Sequence, residues 1–248
     1  MTLTKEPVRE MTERPVVSIS FFRFSRIPAR IWALYMMGRA RLSLPSVPGI
    51  GFWKLCGSGS GEGFTPLPNT AVFAILATWP DEQTARQQID TAPIFAKYHR
   101  KASESWTIFL ETASVRGVWS GDTPFHPTGQ KITGPLAALT RATVKPSLAL
   151  KFWRRVPDIS QMIGSDENVA FKIGIGEVPL LHQVTFSLWP DANAMAAFAR
   201  MNGPHAAAIR AVRDEDWFAE ELYARFAILG DTGSWEGASP LEKLELHA

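Results

Sequence analysis

The chain carries one pattern twice, and a fold that must house two copies of one pattern has few options. Phe22-Arg23-Phe24 followed by Pro28 returns as Thr140-Arg141-Ala142 followed by Pro146, at a separation of 118 residues. Phe52-Trp53-Lys54 returns as Ala170-Phe171-Lys172 at the same separation. Leu76-Ala77-Thr78-Trp79-Pro80-Asp81 returns as Phe186-Ser187-Leu188-Trp189-Pro190-Asp191 at 110. The first copy therefore holds a net insertion of eight residues (118 − 110), which the Gly-rich run 57–63 accounts for. Trp119-Ser120-Gly121 and Trp235-Glu236-Gly237 close the two copies.

Each copy reads strand, helix, strand, strand, helix, strand. Runs rich in β-branched and aromatic residues predict strands at 16–24, 52–56, 71–78 and 107–115, then at 136–143, 169–175, 184–188 and 222–229. Pro28 opens a helix to about residue 42, and Asp81 caps the next, since its carboxylate can accept from free first-turn amides. A βαββαβ unit is a ferredoxin-like sheet with both helices on one face, so the other face needs a cover, and a twin sheet is the economical one. The expectation is an α+β fold of two tandem ferredoxin-like halves packed as a pseudo-dimeric barrel. Its boundaries are a disordered lead-in at 1–14, an N-terminal half at 15–120, a linker at 121–134, a C-terminal half at 135–237 and a tail at 238–248.

Composition narrows the function classes. With 26 basic against 24 acidic side chains and no basic stripe with interleaved aromatics, nothing points to nucleic acid. One cysteine, Cys56, excludes an internal disulfide framework and a Cys-based zinc site. The first 15 residues lack an apolar signal core, and the longest apolar run, 31–37, is far short of the roughly 20 residues a membrane span needs. A reducing cytoplasm is the expected setting.

The run Gly57-Ser58-Gly59-Ser60-Gly61-Glu62-Gly63 lacks the Gly-Lys-Ser/Thr of a phosphate loop and the third glycine of a dinucleotide loop, so it reads as a flexible hairpin or lid. Cys56 reads as a small strand residue. Of five histidines, His126 and His247 read as solvated, His99 as surface, and His182 as a hydrogen-bonded core or loop residue. His205 differs: Gly203 ends one helix, Pro204 starts the next, and Ala208, Ile209 and Val212 share its face. A helix N-terminus favours the neutral ring that a metal requires, but a satisfied core histidine explains the pattern about as well. In the following strand, alternation sets Tyr223, Arg225 and Ala227 on one side, both sides largely apolar, so Arg225 is expected buried with a partner such as Glu177, or facing a cavity. Gln183, Thr185 and Ser187 give a neighbouring strand a polar face. The first-copy counterpart of Pro204-His205 is Pro93-Ile94, so only one of two equivalent places holds a histidine.

Three long stretches resemble the spheroidene monooxygenase family of purple phototrophic bacteria: residues 50–66, residues 171–179, and Trp217-Phe218-Ala219-Glu220-Glu221-Leu222-Tyr223-Ala224-Arg225-Phe226. The resemblance runs from about residue 15 to 235. It implies an acyclic carotenoid 2-ketolase that holds haem b and uses dioxygen and reduced ferredoxin to convert spheroidene to spheroidenone. It also implies a protein peripheral to the intracytoplasmic photosynthetic membrane. The layout of a barrel with a helix histidine and a later strand polar residue resembles the chlorite dismutase and aldoxime dehydratase haem folds. That layout nominates His205 as axial ligand and Arg225 as the distal residue that donates to bound dioxygen or pairs with a propionate, with Tyr223 and Ile209 beside them. Phe73, Trp153 and Phe186 are candidate channel walls, and the first helix, with Trp32, Tyr35, Met36, Arg30, Arg39 and Arg41, is the candidate membrane contact. A haem enzyme of another class, peroxidase- or dehydratase-like, and a non-catalytic lipid- or pigment-binding barrel remain as alternatives.

Overall fold

In the computed structural model, which describes residues 14–60, 65, 67–154, 169–200 and 217–245, the two copies supply eight strands. The first gives β1 (Val16–Arg23), β2 (Trp53–Gly59), β3 (Pro68–Trp79) and β4 (Glu104–Gly117); the second gives β5 (Leu136–Val144), β6 (Phe171–Gly176), β7 (His182–Trp189) and β8 (Phe218–Gly233). They close into an antiparallel barrel in the order β1-β3-β2-β6-β7-β5-β8-β4. Each half keeps the ferredoxin-like strand order, and the halves join through the β2–β6 and β4–β8 ladders. The expected pseudo-dimeric barrel is therefore the observed one. Gly57 and Gly59 lie in β2, so the Gly-rich run begins as strand rather than as a free hairpin.

The described helices include α1 (Ile27–Arg39), α2 (Glu82–Thr91), α3 (Pro93–Lys101), α4 (Ala192–Arg200) and α5 (Glu242–Glu245). Asp81 caps α2 by accepting the Thr84 amide at 2.7 Å, and Asp191 repeats the device for α4 with the amides of Asn193 and Ala194. Where one helix was expected after β3 there are two, because Pro93 lacks the donor to continue α2 and suits the first turn of α3.

Alternation along the strands sorts the chain into layers. Inward residues such as Ile19, Phe21, Leu139, Phe186, Leu222 and Phe226 fill the barrel. A second apolar layer packs α1, α2 and α3 onto the outer face of the first half through Phe22, Phe24, Leu55, Phe73, Ile75 and Phe109. On the outer face of the second half the described apolar cluster is small, built on Leu136, Trp189 and Phe198.

The ladders refine the repeat. Val16 pairs with Trp79 and Leu136 with Trp189, so β1 and β5 correspond at 120 residues (136 − 16), two more than the sequence alignment gives. A two-residue slip keeps every side chain on its face, but it makes Arg141 the counterpart of Phe21 and sets it deeper in the barrel than Arg23. Trp53 pairs with Ala77 and Lys172 with Ser187, a separation of 119 (172 − 53), so Lys54 matches Ile173 and not Lys172. That one-residue change puts Lys54 and Lys172 on opposite faces.

Helix α1 turns differently from the expectation. Met36 is buried and Trp32 stacks edge-on against Tyr98 at 5.1 Å, so both serve the core. The outward face is Ile27, Ile31, Leu34 and Tyr35, each at least 50% exposed. Among the described residues no helix is long and apolar enough to cross a membrane.

Candidate functional site

The outer faces of the two halves, matched rung by rung, hold different chemistry. In the first half one rung reads Leu55–Ile75–Ser20–Thr107; its counterpart reads Gly174–Thr185–Thr140–Tyr223. The next reads Trp53–Ala77–Ser18–Phe109 against Lys172–Ser187–Ala138–Arg225. Phe73 and Phe22 pair in the first half, where Gln183 and Ala142 pair in the second. Five buried apolar side chains, Leu55, Ile75, Phe73, Phe22 and Phe109, are thus replaced by Gly174, Thr185, Gln183, Ala142 and Arg225, and the half-buried Trp53 by Lys172. The first face is a dry layer under helices; the second, among the described residues, is a shelf of small and polar groups.

Arg225 and Tyr223 stand on this shelf, on adjacent rungs of β8. Arg225 is exposed, not buried, because the face it shares was never filled with apolar bulk. Among the described residues it makes no hydrogen bond or ion pair. Tyr223 donates to Glu221 Oε2 at 2.9 Å and lies 5.1 Å from the Arg116 guanidinium. His205 and Ile209, with the tail residue His247, lie outside the described residues. His126 is exposed as expected. His99 is half-buried rather than on the surface: its ring meets Phe22 edge-on at 5.2 Å and Nδ1 lies 3.1 Å from Ser105 Oγ. Cys56 is fully buried among the inward residues, and burial pushes its thiol far above the usual value, which fits a strand residue and not a ligand thiolate.

Sequence reasoning missed an ionic cluster at the second half's end of the barrel. Arg141, 1% exposed, pairs with Glu220 and lies 3.9 Å from Glu177. Glu177 also pairs with Lys54 at 3.0 Å and accepts from Trp119 Nε1 at 2.7 Å, so it is not the partner of Arg225. Glu220 accepts the amides of Ser120 and Gly121 at 2.6 and 2.8 Å, an anchor for the turn that closes the first copy. The first half has a looser twin: Arg23 pairs with Glu104 and Glu236, and Glu104 accepts the Gly237 amide. The repeated Trp-x-Gly turns were the available signal, since each docks on the other half.

Burial raises the Glu220 pKa, but the two amides and Arg141 outweigh it and hold the carboxyl below its usual value. A depressed folded pKa gives stability that is present above the unfolded value near 4.5 and lost as pH falls through the folded one. Acid unfolding followed by tryptophan fluorescence should therefore begin below about pH 4.5 in wild type, with a shallower pH dependence in Glu220→Gln. Equal slopes would remove Glu220 from the acid transition.

A groove of about 310 Å³ lies beside the shelf, across the β2–β6 seam. Of the three candidate channel walls, Phe73 and Trp153 line this groove, whereas Phe186 is in the packed barrel interior and does not. His182 lines it too, with Nδ1 3.5 Å from Glu177 Oε2.

No protein-family model matches the chain. It is 52% identical to the spheroidene monooxygenase of Cereibacter sphaeroides over 91% of this chain and 70% of that protein. It is 49% identical to the spheroidene monooxygenase of Rhodobacter capsulatus over 92% of this chain and 95% of that protein. Among solved structures, an aldoxime dehydratase in complex with butyraldoxime superposes with a TM-score of 0.65 over 95% of this chain and 87% of that one, at 9% identity. That likeness concerns the fold alone.

Proposed function

Because the chain belongs to the spheroidene monooxygenase family, we propose that it is a haem b-dependent carotenoid monooxygenase. Its substrates are spheroidene and related acyclic methoxy carotenoids, oxidised at carbon 2 to the ketone with dioxygen and reduced ferredoxin. Two successive hydroxylations each take one dioxygen, two electrons and two protons and release one water; the resulting gem-diol loses water to the ketone. The single observation that carries the haem assignment is the shelf. Forgoing five buried apolar side chains forfeits roughly 1.5–3 kcal/mol apiece, a loss made good where a flat, largely apolar group lies over the small ones.

When bound, haem supplies the oxidising chemistry. Arg225 brings a fixed positive charge and five donors to the shelf, suited to a propionate or to charge developing on oxygen. Tyr223, on the next rung, borders the same surface. From the repeat, His205 would supply the ligand to the haem iron and Ile209 a further contact with the group: Ile94, the first-half counterpart of His205, is buried in the layer between helix and sheet. The protein meets the photosynthetic membrane peripherally, through α1.

Protein produced with added iron should show a Soret band and convert spheroidene to spheroidenone with reduced ferredoxin and dioxygen. A protein without the band would overturn the haem reading and favour a pigment-binding barrel. A loaded protein that leaves spheroidene intact but acts as a peroxidase or dehydratase would overturn the reaction. Arg225→Leu should keep the band and lose turnover by roughly 100-fold; unchanged activity would return Arg225 to the surface.

A further inference from the structure

The groove at the β2–β6 seam joins two surfaces that no residue role has yet connected. One end is α1, through Leu34, Met37 and Arg41; the other is the rim of the shelf, through Gly176 and Gln183. Between them its walls are apolar, with Phe73, Trp153, Ile175 and Leu180. The floor is open at Gly57, which pairs with Gly176 across the seam and where no atom lies within 4 Å of the missing Cβ. Its acidic residue Glu177 is neutralised by Lys54.

The outer end is built for an anionic lipid surface. Ile27, Ile31, Leu34 and Tyr35 project from α1 at helical spacing, and Leu42, Leu67 and Leu180 are exposed as well. Residues 15–61 contain six basic side chains and no Asp or Glu, and Arg26, Arg39 and Arg41 are exposed among them. Apolar side chains beside cations that have no ion pair among the described residues match the headgroup boundary of an anionic bilayer.

We propose that this face seats on an anionic bilayer and that the groove loads one end of an extended acyclic polyene from the lipid onto the shelf. A volume of about 310 Å³ is at the small end of the roughly 300–1,000 Å³ range of ligand sites, so it takes a chain end and leaves the remainder in lipid. The reaction on the shelf rests on the proposed function; the loading route does not require it. Gly57 supplies a clean obstruction, because a Cβ added there meets no atom within 4 Å and its φ is not positive.

The test uses Gly57→Phe, which fills the groove, and Leu34→Glu, at an exposed position whose change leaves the core intact. Three measurements are made on the iron-loaded protein: flotation with vesicles of phosphatidylglycerol or of phosphatidylcholine, quenching of tryptophan fluorescence by spheroidene in detergent, and turnover. Wild type should float with phosphatidylglycerol vesicles and not with phosphatidylcholine. Leu34→Glu should lose flotation at least fivefold and convert vesicle-borne spheroidene correspondingly slowly. Gly57→Phe should float normally, keep its Soret band and lose spheroidene quenching at least tenfold. Normal quenching in Gly57→Phe, or equal flotation on both vesicles, overturns the loading route. Quenching and flotation are read without turnover, so failure of the ketolase reading shows separately, as a protein that binds polyene and vesicles without product.

Discussion

Loss of the Soret band is the expected result of His205→Ala, while His99→Ala and His182→Ala retain it. His99 is committed to the first half, where Phe22 and Ser105 hold its ring. His182 stands beside Glu177 at the groove, and His126 is exposed in the connecting segment. Of the two histidines outside the described residues, the repeat singles out His205: the first half spends Pro93-Ile94 on a dry contact beneath α3, and Pro204-His205 is the matching pair in the sequence of the second copy. Removing a direct ligand should lower haem affinity by at least the 10–100-fold typical of losing an outer-shell partner. Haem titration of purified apoprotein, read at the Soret maximum, checks this. A His205→Ala protein that titrates like wild type would move the ligand elsewhere.

The second large effect is on stability. Arg141→Ala should lower the unfolding free energy by about 3–5 kcal/mol, because it leaves Glu220 without its buried cation, while Glu177 keeps Lys54. The duplication provides its own control. Arg23 makes the related contacts at the other end of the barrel, but its side chain is 34% exposed against 1% for Arg141. Solvent screens such a pair, so Arg23→Ala should cost no more than about 1 kcal/mol. Urea midpoints of the two variants, compared at equal m-values, measure the difference. Equal midpoints would mean that depth in the barrel does not govern the strength of these clusters.

The repeat made the architecture readable because it encodes order, hand and number of strands at once. Its counterpart assignments were less secure. Side chains on β1 and β5 align best at 118 residues, yet the ladders fix 120, since Arg23 and Arg141 reach similar carboxylates from different depths. Lys54 and Lys172 look equivalent as letters and lie on opposite faces, because one residue of slip in β2 is invisible where a Gly-rich run follows. Gln183, Thr185 and Ser187 were legible as a polar face, and Arg225 as belonging with them. Its exposure was not, since Leu222, Ala224 and Phe226 on one side and Tyr223, Ala227 and Leu229 on the other made the strand look buried on both, while apolar content of a strand face says nothing about what covers it. Trp32 and Met36 were misjudged for a related reason: on a helix that is apolar nearly all round, composition does not set the rotation, and the pocket offered by Tyr98 does.

The Gly57–Gly176 seam has a mechanical meaning. On one side of the barrel the ladder runs from the Trp106–Gly233 pair to Gly117–Leu222, a long zip joining the halves. On the other, among the described residues, Gly57–Gly176 and Ser58–Ile175 alone bridge them. A ring with one strong clasp and one weak one breathes at the weak clasp: when the halves part by thermal motion, they pivot about β4–β8. Amide protons at the short seam should then exchange with solvent far sooner than those along β4 and β8. The groove sits at that clasp, so fast exchange there is the result expected if parting of the seam widens the passage between helix and shelf.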